Sequence, residues 1–285
     1  MTIRFLFKKS VISLRHYGIP SPELDAEIFL AAAIQKDKVF LLTHPEYNLS
    51  KKEEALFRIF LEKRRARMPV AYIIGKKEFF KLSFFVNSSV LVPRAETEHL
   101  VESVLEWLGA HPKALHIAEI GTGSGCIAVS IAKHAQYIKT LFATELSSRA
   151  LVVAKKNIAH HALSKKITLK KTPLLNGIRK KFDCIVANLP YLSSQEYVDA
   201  VKNYPEIAYE PKMAHEGGSD GMKYINNLLS QVKKHLSPHG VLFLEIGALQ
   251  GNSIKKLATT HIKHSNIDIK TDYCGFDRIA IIQLL

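Results

Sequence analysis

LHIAEIGTGSGCIAVSIA, residues 115 to 132, decides the fold. Its first six positions are mostly apolar, glycines follow at 121, 123 and 125, and small apolar residues then recur at helical spacing. An apolar run that ends in glycine and gives way to such a pattern reads as a buried strand turning directly into a helix. Glycine at that turn accepts positive φ and lets a ligand approach the backbone. The dinucleotide pattern G-x-G-x-x-G needs glycine at 126, where Cys126 stands, and there is no phosphate loop G-x-x-x-x-G-K-[ST]. A pyrophosphate ligand, and with it a nicotinamide enzyme, loses ground. Twenty residues past Gly125, Glu145 closes the next strand-like run, IKTLFATE. A carboxylate there can accept hydrogen bonds from both hydroxyls of a ribose. The combination suits an adenosyl ligand without phosphates, S-adenosylmethionine. The plainer readings are an ordinary strand-to-helix turn and, for Glu145, a solvated helix-capping acid.

Outward from this stretch the chain alternates. LHIAEI, IKTLFATE, ITLK, FDCIVAN, GVLFLEIG, NIDIKTD and RIAIIQLL are strand-like, and helix-like segments such as GCIAVSIAKHA and SSRALVVAKKNIAHHAL separate most of them. That order predicts a largely parallel sheet covered on both faces. Only YCGFD joins the last two runs, too little for a crossover helix, so they should pair antiparallel.

A second stretch, CIVANLPYLSS at 184 to 194, runs apolar and then turns abruptly into Asn188, Leu189, Pro190 and Tyr191. It ends the fourth predicted strand, at the edge where open α/β sheets bind ligands. A planar NH2 group is a poor nucleophile because its lone pair is delocalised. The Asn188 carboxamide oxygen and the Leu189 backbone oxygen can accept both of its protons and aim the lone pair at a sulfonium methyl. Pro190 would fix the turn, and Tyr191 would lie over the flat group. Orientation and electrostatics then supply most of the rate. The plainer reading makes Asn188 a turn cap and Tyr191 a core residue.

The first seventy residues read as helices. Ile3, Leu6, Phe7, Val11 and Leu14 share a face, ELDAEIFLAAAI forms a second helix, and Ser50 with Glu53 forms a capping box for a third. Residues 71–92 turn to β-branched and aromatic types with Gly and Asn-Ser breaks, which predicts a hairpin-like connector. PRAETEHLVESVLEWL then opens a helix with Glu96 and Glu98 near its positive end. The expected domains are 1–70 helical, 71–92 connector and 93–285 α/β.

Lys plus Arg number 40 against 26 Asp plus Glu, a net +14 that favours polyanions or a partner associated with them. Short basic runs such as Lys63-Arg64-Arg65 and Arg179-Lys180-Lys181 individually read as solvated faces. Cys126, Cys184 and Cys274 form no C-x-x-C, the first two reading as small core residues, and the 13 histidines show no H-E-x-x-H, so no metal site is expected. Arg4, Lys8 and Lys9 interrupt the first apolar run, and no window approaches the ~18 apolar residues of a membrane span. A reducing, cytoplasmic setting is expected.

The chain resembles the release-factor glutamine methyltransferases, the HemK/PrmC family, over nearly its whole length. The resemblance rests on MPVAYIIGKKEFFKLSFFVNSSVLVPRAETEHLVE, EIGTGSGCIA, ANLPY, AYEP, GGSDGMKYI and DYCGFDRIAI. GKKEFF…LVPRAETE is its most specific part. It implies a class I S-adenosylmethionine-dependent methyltransferase fold: a Rossmann-like seven-stranded sheet with an antiparallel terminal hairpin, plus a small N-terminal helical domain that helps to bind the substrate. That substrate would be the Gly-Gly-Gln glutamine of class I peptide chain release factors, methylated on its side-chain amide. Gly121, Thr122, Gly123, Ser124, Gly125, Glu145 and Asn188 match cofactor positions, and Pro173 is expected to pack against the adenine; Asn188, Leu189, Pro190 and Tyr191 match the glutamine-binding tetrapeptide, with Asn188, Pro190 and Tyr191 as the catalytic set. A monomer is expected, with direct nucleic-acid contact compatible with the charge but not required, and no membrane partner.

The chain departs from the family pattern in three places. Leu189 replaces the first proline of Asn-Pro-Pro-Tyr while keeping the accepting carbonyl. Thr172 and Pro173 stand where an acid and a large apolar residue are common near the adenine, and Glu145 stands where Asp is more usual. Asn-Leu-Pro-Tyr is also the form typical of ribosomal RNA adenine dimethyltransferases. A ribosomal-protein glutamine methyltransferase, an RNA adenine methyltransferase and a non-catalytic binding protein therefore stay open as alternatives.

Overall fold

The computed structural model describes residues 1–113, 115–135 and 138–285. They form two compact units, Met1–Lys76 with Tyr204–Tyr209, and Lys77–Asn203 with Glu210–Leu285.

The first unit holds helices α1 (Ile3–His16), α2 (Pro22–Ile34), α3 (Lys38–Thr43), α4 (Lys51–Arg65) and α5 (Val70–Ile74). The capping box at the start of α4 is present. Glu53 Oε2 accepts from the Ser50 N–H at 2.7 Å, and Ser50 Oγ accepts from the Glu53 N–H at 3.3 Å. Leu14, Phe29, Leu30 and Phe57 meet in the core of this unit. Arg64 is buried and is answered by Asp25 at 2.7 Å and Glu206 at 2.9 Å. A charge removed from water persists only with such partners, and the Glu206 pair ties residues 204–209 to these helices.

The structure divides the 71–92 segment rather than keeping it whole. Ile73 is part of the helical core, and α5 stops at Gly75. The hairpin β1 (Lys76–Phe79) and β2 (Leu82–Phe85) follows. Phe80 and Lys81 both take positive φ, the two-residue turn that matches strand twist, and Phe79 and Phe84 pack into the core of the second unit.

In the second unit a 3-10 turn (Ala95–Thr97) leads into α6 (Glu98–Ala110). There follow β3 (Leu115–Ile120), α7 (Cys126–His134), β4 (Ile138–Glu145), α8 (Ser148–His160), β5 (Ile167–Lys171) and β6 (Phe182–Asn188). The remainder comprises α9 (Ser194–Asn203), α10 (Lys223–His235), β7 (Leu236–Glu245), α11 (Gly251–His261), β8 (Ser265–Thr271) and β9 (Asp277–Leu284). The sheet runs β5-β4-β3-β6-β7-β9-β8, parallel except for β9, which is antiparallel to both neighbours.

Alternation along the central strands builds two cores. Ile117, Cys184, Val186, Val241 and Phe243 face α6, α7 and the hairpin. Ala118, Ile120, Ile185, Ala187, Leu242 and Leu244 face α10 and α11. With both faces covered the strands are apolar at most positions rather than at alternate ones, as LHIAEI and FDCIVAN are. After β5 the chain crosses to the other side of β3, so the carboxyl ends of β3 and β6 flank the switch point where open sheets bind ligands. Among the described residues no helix is long and apolar enough to cross a membrane.

Candidate active site

At the end of β3, Gly121 adopts φ +75, and a Cβ there would come within 3.1 Å of Leu189 Cδ2. The glycine turn and the Asn-Leu-Pro-Tyr loop are therefore in direct contact, with the Leu189 side chain buried between them. The Gly121 and Thr122 N–H groups both donate to the Thr144 carbonyl at 2.9 Å, which brings the turn over β4. Glu145 ends that strand. Its Oε2 accepts from the Gly123 N–H at 2.9 Å and its Oε1 from the Ser147 N–H at 2.8 Å. Two backbone donors thus fix the carboxylate, and each oxygen keeps a lone pair for a further donor.

On the other side, Asn188 Nδ2 donates to Thr97 Oγ1 at 3.1 Å. Among the described residues no donor reaches the Asn188 carboxamide oxygen or the Leu189 carbonyl. A cleft of about 1100 Å³, open solvent at its mouth included, joins the two halves. Gly121 to Ser124, Glu145, Leu146 and Pro173 line one side, Asn188, Leu189 and Pro190 the other, and Val90, Pro93, Arg94 and Thr97 come from the segment before α6. The Thr172 hydroxyl is spent on the Asn176 carbonyl at 2.7 Å, leaving Leu146 and Pro173 as the apolar surfaces beside Glu145.

Two expected site residues stand outside this wall. Gly125, at φ +82, caps α7, and a Cβ there would come within 3.5 Å of Ala154. Tyr191 does not cover the cleft. Its ring packs against the core beneath, and its phenol donates to Glu245 Oε1 at 3.4 Å. The cause lies in the backbone: Gln250 Nε2 donates to the Tyr191 carbonyl at 2.8 Å, and the Leu192 N–H donates to the His215 carbonyl at 3.0 Å. Gly221, at φ +76, sits so close to the Tyr191 carbonyl that any Cβ would collide with it. The phenol is held as a buttress, its pKa raised by burial and by the Glu245 charge.

Residues 6–75 match the PrmC N-terminal domain, and residues 97–204 match the methyltransferase small domain. A release factor glutamine methyltransferase of Koribacter versatilis is 34% identical over 283 residues, covering 99% of this chain and 98% of its own. One from Moorella thermoacetica is 36% identical over 280 residues, covering 98% and 97%. The chain belongs to the release factor glutamine methyltransferase family. Among solved structures, the ribosomal protein L11 methylase of Lactobacillus delbrueckii subsp. bulgaricus is 25% identical with a TM-score of 0.50, covering 67% of this chain and 81% of that one.

This release factor glutamine methyltransferase family member also carries site residues that the motifs alone did not reveal. In LVPRAETE, Arg94 pairs with the buried Glu210 of AYEP at 2.6 Å, and His215 shares the same Glu210 oxygen at 2.6 Å. Glu98 Oε1 accepts from the Phe80 N–H at 2.9 Å, anchoring the hairpin to the start of α6. Two buried acids complete the set. Glu119 Oε2 accepts from Thr122 Oγ1 at 2.5 Å and from the Ala128 N–H at 3.2 Å. Burial pushes its carboxyl up to about 8 against those two bonds. Burial pushes Glu245 up to about 7, opposed by Thr97, Arg278 and Tyr191. The signal was present in both cases, an acid inside an apolar parallel strand (LHIAEI, GVLFLEIG), where a side chain has no route to water.

Proposed function

We propose that the chain transfers the methyl of S-adenosylmethionine to the side-chain amide of the glutamine in the Gly-Gly-Gln motif of class I release factors. The observation that carries this reading is the single cleft shared by the glycine turn, Glu145 and the Asn188–Pro190 loop. The residues present fit the cofactor: Glu145 is held by two backbone donors and faces the cleft, where it suits a ribose, and Leu146 and Pro173 offer flat apolar surface for an adenine. When bound, S-adenosylmethionine supplies an electrophilic methyl on a cationic sulfur. The rest is the work of the chain. Thr97 holds the Asn188 NH2, so the carboxamide oxygen is presented to the cleft. That oxygen and the Leu189 carbonyl accept the two amide hydrogens of the substrate glutamine and leave its nitrogen lone pair facing the methyl. Preorganised acceptors of this kind need no rearrangement as charge develops. No strong base is required, because a methylated amide nitrogen releases its proton readily to solvent. The helices of Met1–Lys76, which hold the match to the PrmC N-terminal domain, are assigned to holding the release factor.

The test is mass spectrometry of a class I release factor after incubation with the protein and S-adenosylmethionine, with ribosomal protein and ribosomal RNA in parallel reactions. One added methyl on the Gly-Gly-Gln peptide is expected; label confined to ribosomal protein or to RNA would overturn the assignment.

A further inference from the structure

Glu245 is the register partner of Asn188 on the neighbouring strand, so the two side chains leave the sheet side by side at its ligand-binding edge. Glu245 is only 2% exposed. One oxygen takes the Tyr191 phenol at 3.4 Å, while Oε2 is buried with no hydrogen-bond partner. Thr97 lies near enough to favour the ionised form of this carboxyl, and its Oγ1 is also the atom that receives the Asn188 NH2. We propose that Glu245 is a positioning residue that sets which way the Asn188 carboxamide points, acting through the Thr97 hydroxyl. This rests on the role given to Asn188 above.

The argument follows one proton. A hydroxyl donates once. While Glu245 is ionised it can only accept, so the Thr97 proton goes to it and Thr97 Oγ1 is left to accept from the Asn188 NH2. The carboxamide oxygen then faces the cleft, as the substrate amide requires. Once Glu245 is protonated it can donate to Thr97 Oγ1. The Thr97 proton is then free to go to the carboxamide oxygen, and the amide turns over, presenting NH2 groups to NH2. The groups facing Glu245 are Glu96 and Thr97 from the segment before α6, Tyr191 from the β6 loop and Arg278 from β9, the last paired to Asp272 at 2.9 Å. Arg278 favours the ionised form, and burial and Glu96 oppose it, which leaves the carboxyl titrating near neutrality at about 7.

The experiment compares the full-length wild type with Glu245→Ala and Glu245→Gln, following turnover on a Gly-Gly-Gln peptide from pH 6 to 9. In parallel, the side-chain 15N signal of Asn188 is followed in cofactor-free protein and assigned by its loss in Asn188→Ala. Turnover of the wild type should fall on the acid side with a midpoint near neutrality, and the Asn188 signal should shift with the same midpoint. Glu245→Ala should lower kcat about tenfold at pH 8, the effect of one lost orienting hydrogen bond, with the KM for S-adenosylmethionine unchanged. Glu245→Gln, whose carbonyl still accepts from Thr97, should recover most of that loss and abolish both titrations. An acid limb and an Asn188 shift that survive in Glu245→Gln would overturn the proposal. A wild type inactive on the peptide but with a titrating Asn188 signal would instead count against the substrate assignment alone.

Discussion

Glu119 and Glu245 are the same group in closely similar settings, one a residue short of the end of β3 and the other at the end of β7, each with one buried oxygen lacking a partner. They differ in whom they hold. The partners of Glu119, Thr122 and the Ala128 N–H, lie within nine residues, and together they brace the turn and the first turn of α7. Glu245 instead reaches Tyr191, 54 residues away in sequence, and Thr97 from before α6, so it gathers three segments that have no local reason to meet. A local acid shapes a loop; a long-range acid sets the orientation of other side chains. The contrast predicts that losing the first changes stability and losing the second changes turnover.

The largest effect expected from breaking this contrast is on stability. A carboxyl raised to about 8 when folded favours the protonated state, so its contribution is fully present below the unfolded value and is lost as pH rises from about 4.5 through about 8. Glu119→Gln should remove from the unfolding free energy a pH dependence on the order of a few kcal/mol across that window, measured as urea midpoints against pH, and leave the acid limb of turnover in place. Less is expected from Thr97→Val, which deletes the hydroxyl joining Asn188 to Glu245. Turnover should drop about tenfold while affinity for S-adenosylmethionine, read by calorimetry, holds. An unchanged rate would remove Thr97 from the relay. The smallest change belongs to Leu189→Pro. The accepting carbonyl survives and the contact beneath Gly121 stays apolar, so kcat should remain within about fivefold. A collapse of activity would mean that the Leu189 side chain is needed to couple turn and loop.

Much of this was legible beforehand. Largely apolar runs announced the strands, the short YCGFD link announced the antiparallel β9, and three spaced glycines marked the turn, because each follows from local sterics or from burial on both sheet faces. The fate of Tyr191 was not legible. It follows the strand, where period-two reasoning ends, and its direction is fixed by Gln250 and Gly221, both distant in sequence. The contact of Leu189 with Gly121 was hidden for the same reason. A neighbour supplied by the sheet order leaves no trace in spacing along the chain. The two buried acids were visible as letters, but which partners they would meet depended on the register of β6 against β7 and on where the segment before α6 comes to lie.

Central to all of it is the claim that the Asn188 carboxamide steers a substrate NH2 group. Single-turnover methyl transfer to a Gly-Gly-Gln peptide by Asn188→Ala, with S-adenosylmethionine affinity measured on the same sample, tests it most directly. The account predicts a rate lower by about two to three orders of magnitude with the cofactor still bound. An undiminished rate at full cofactor occupancy would contradict it.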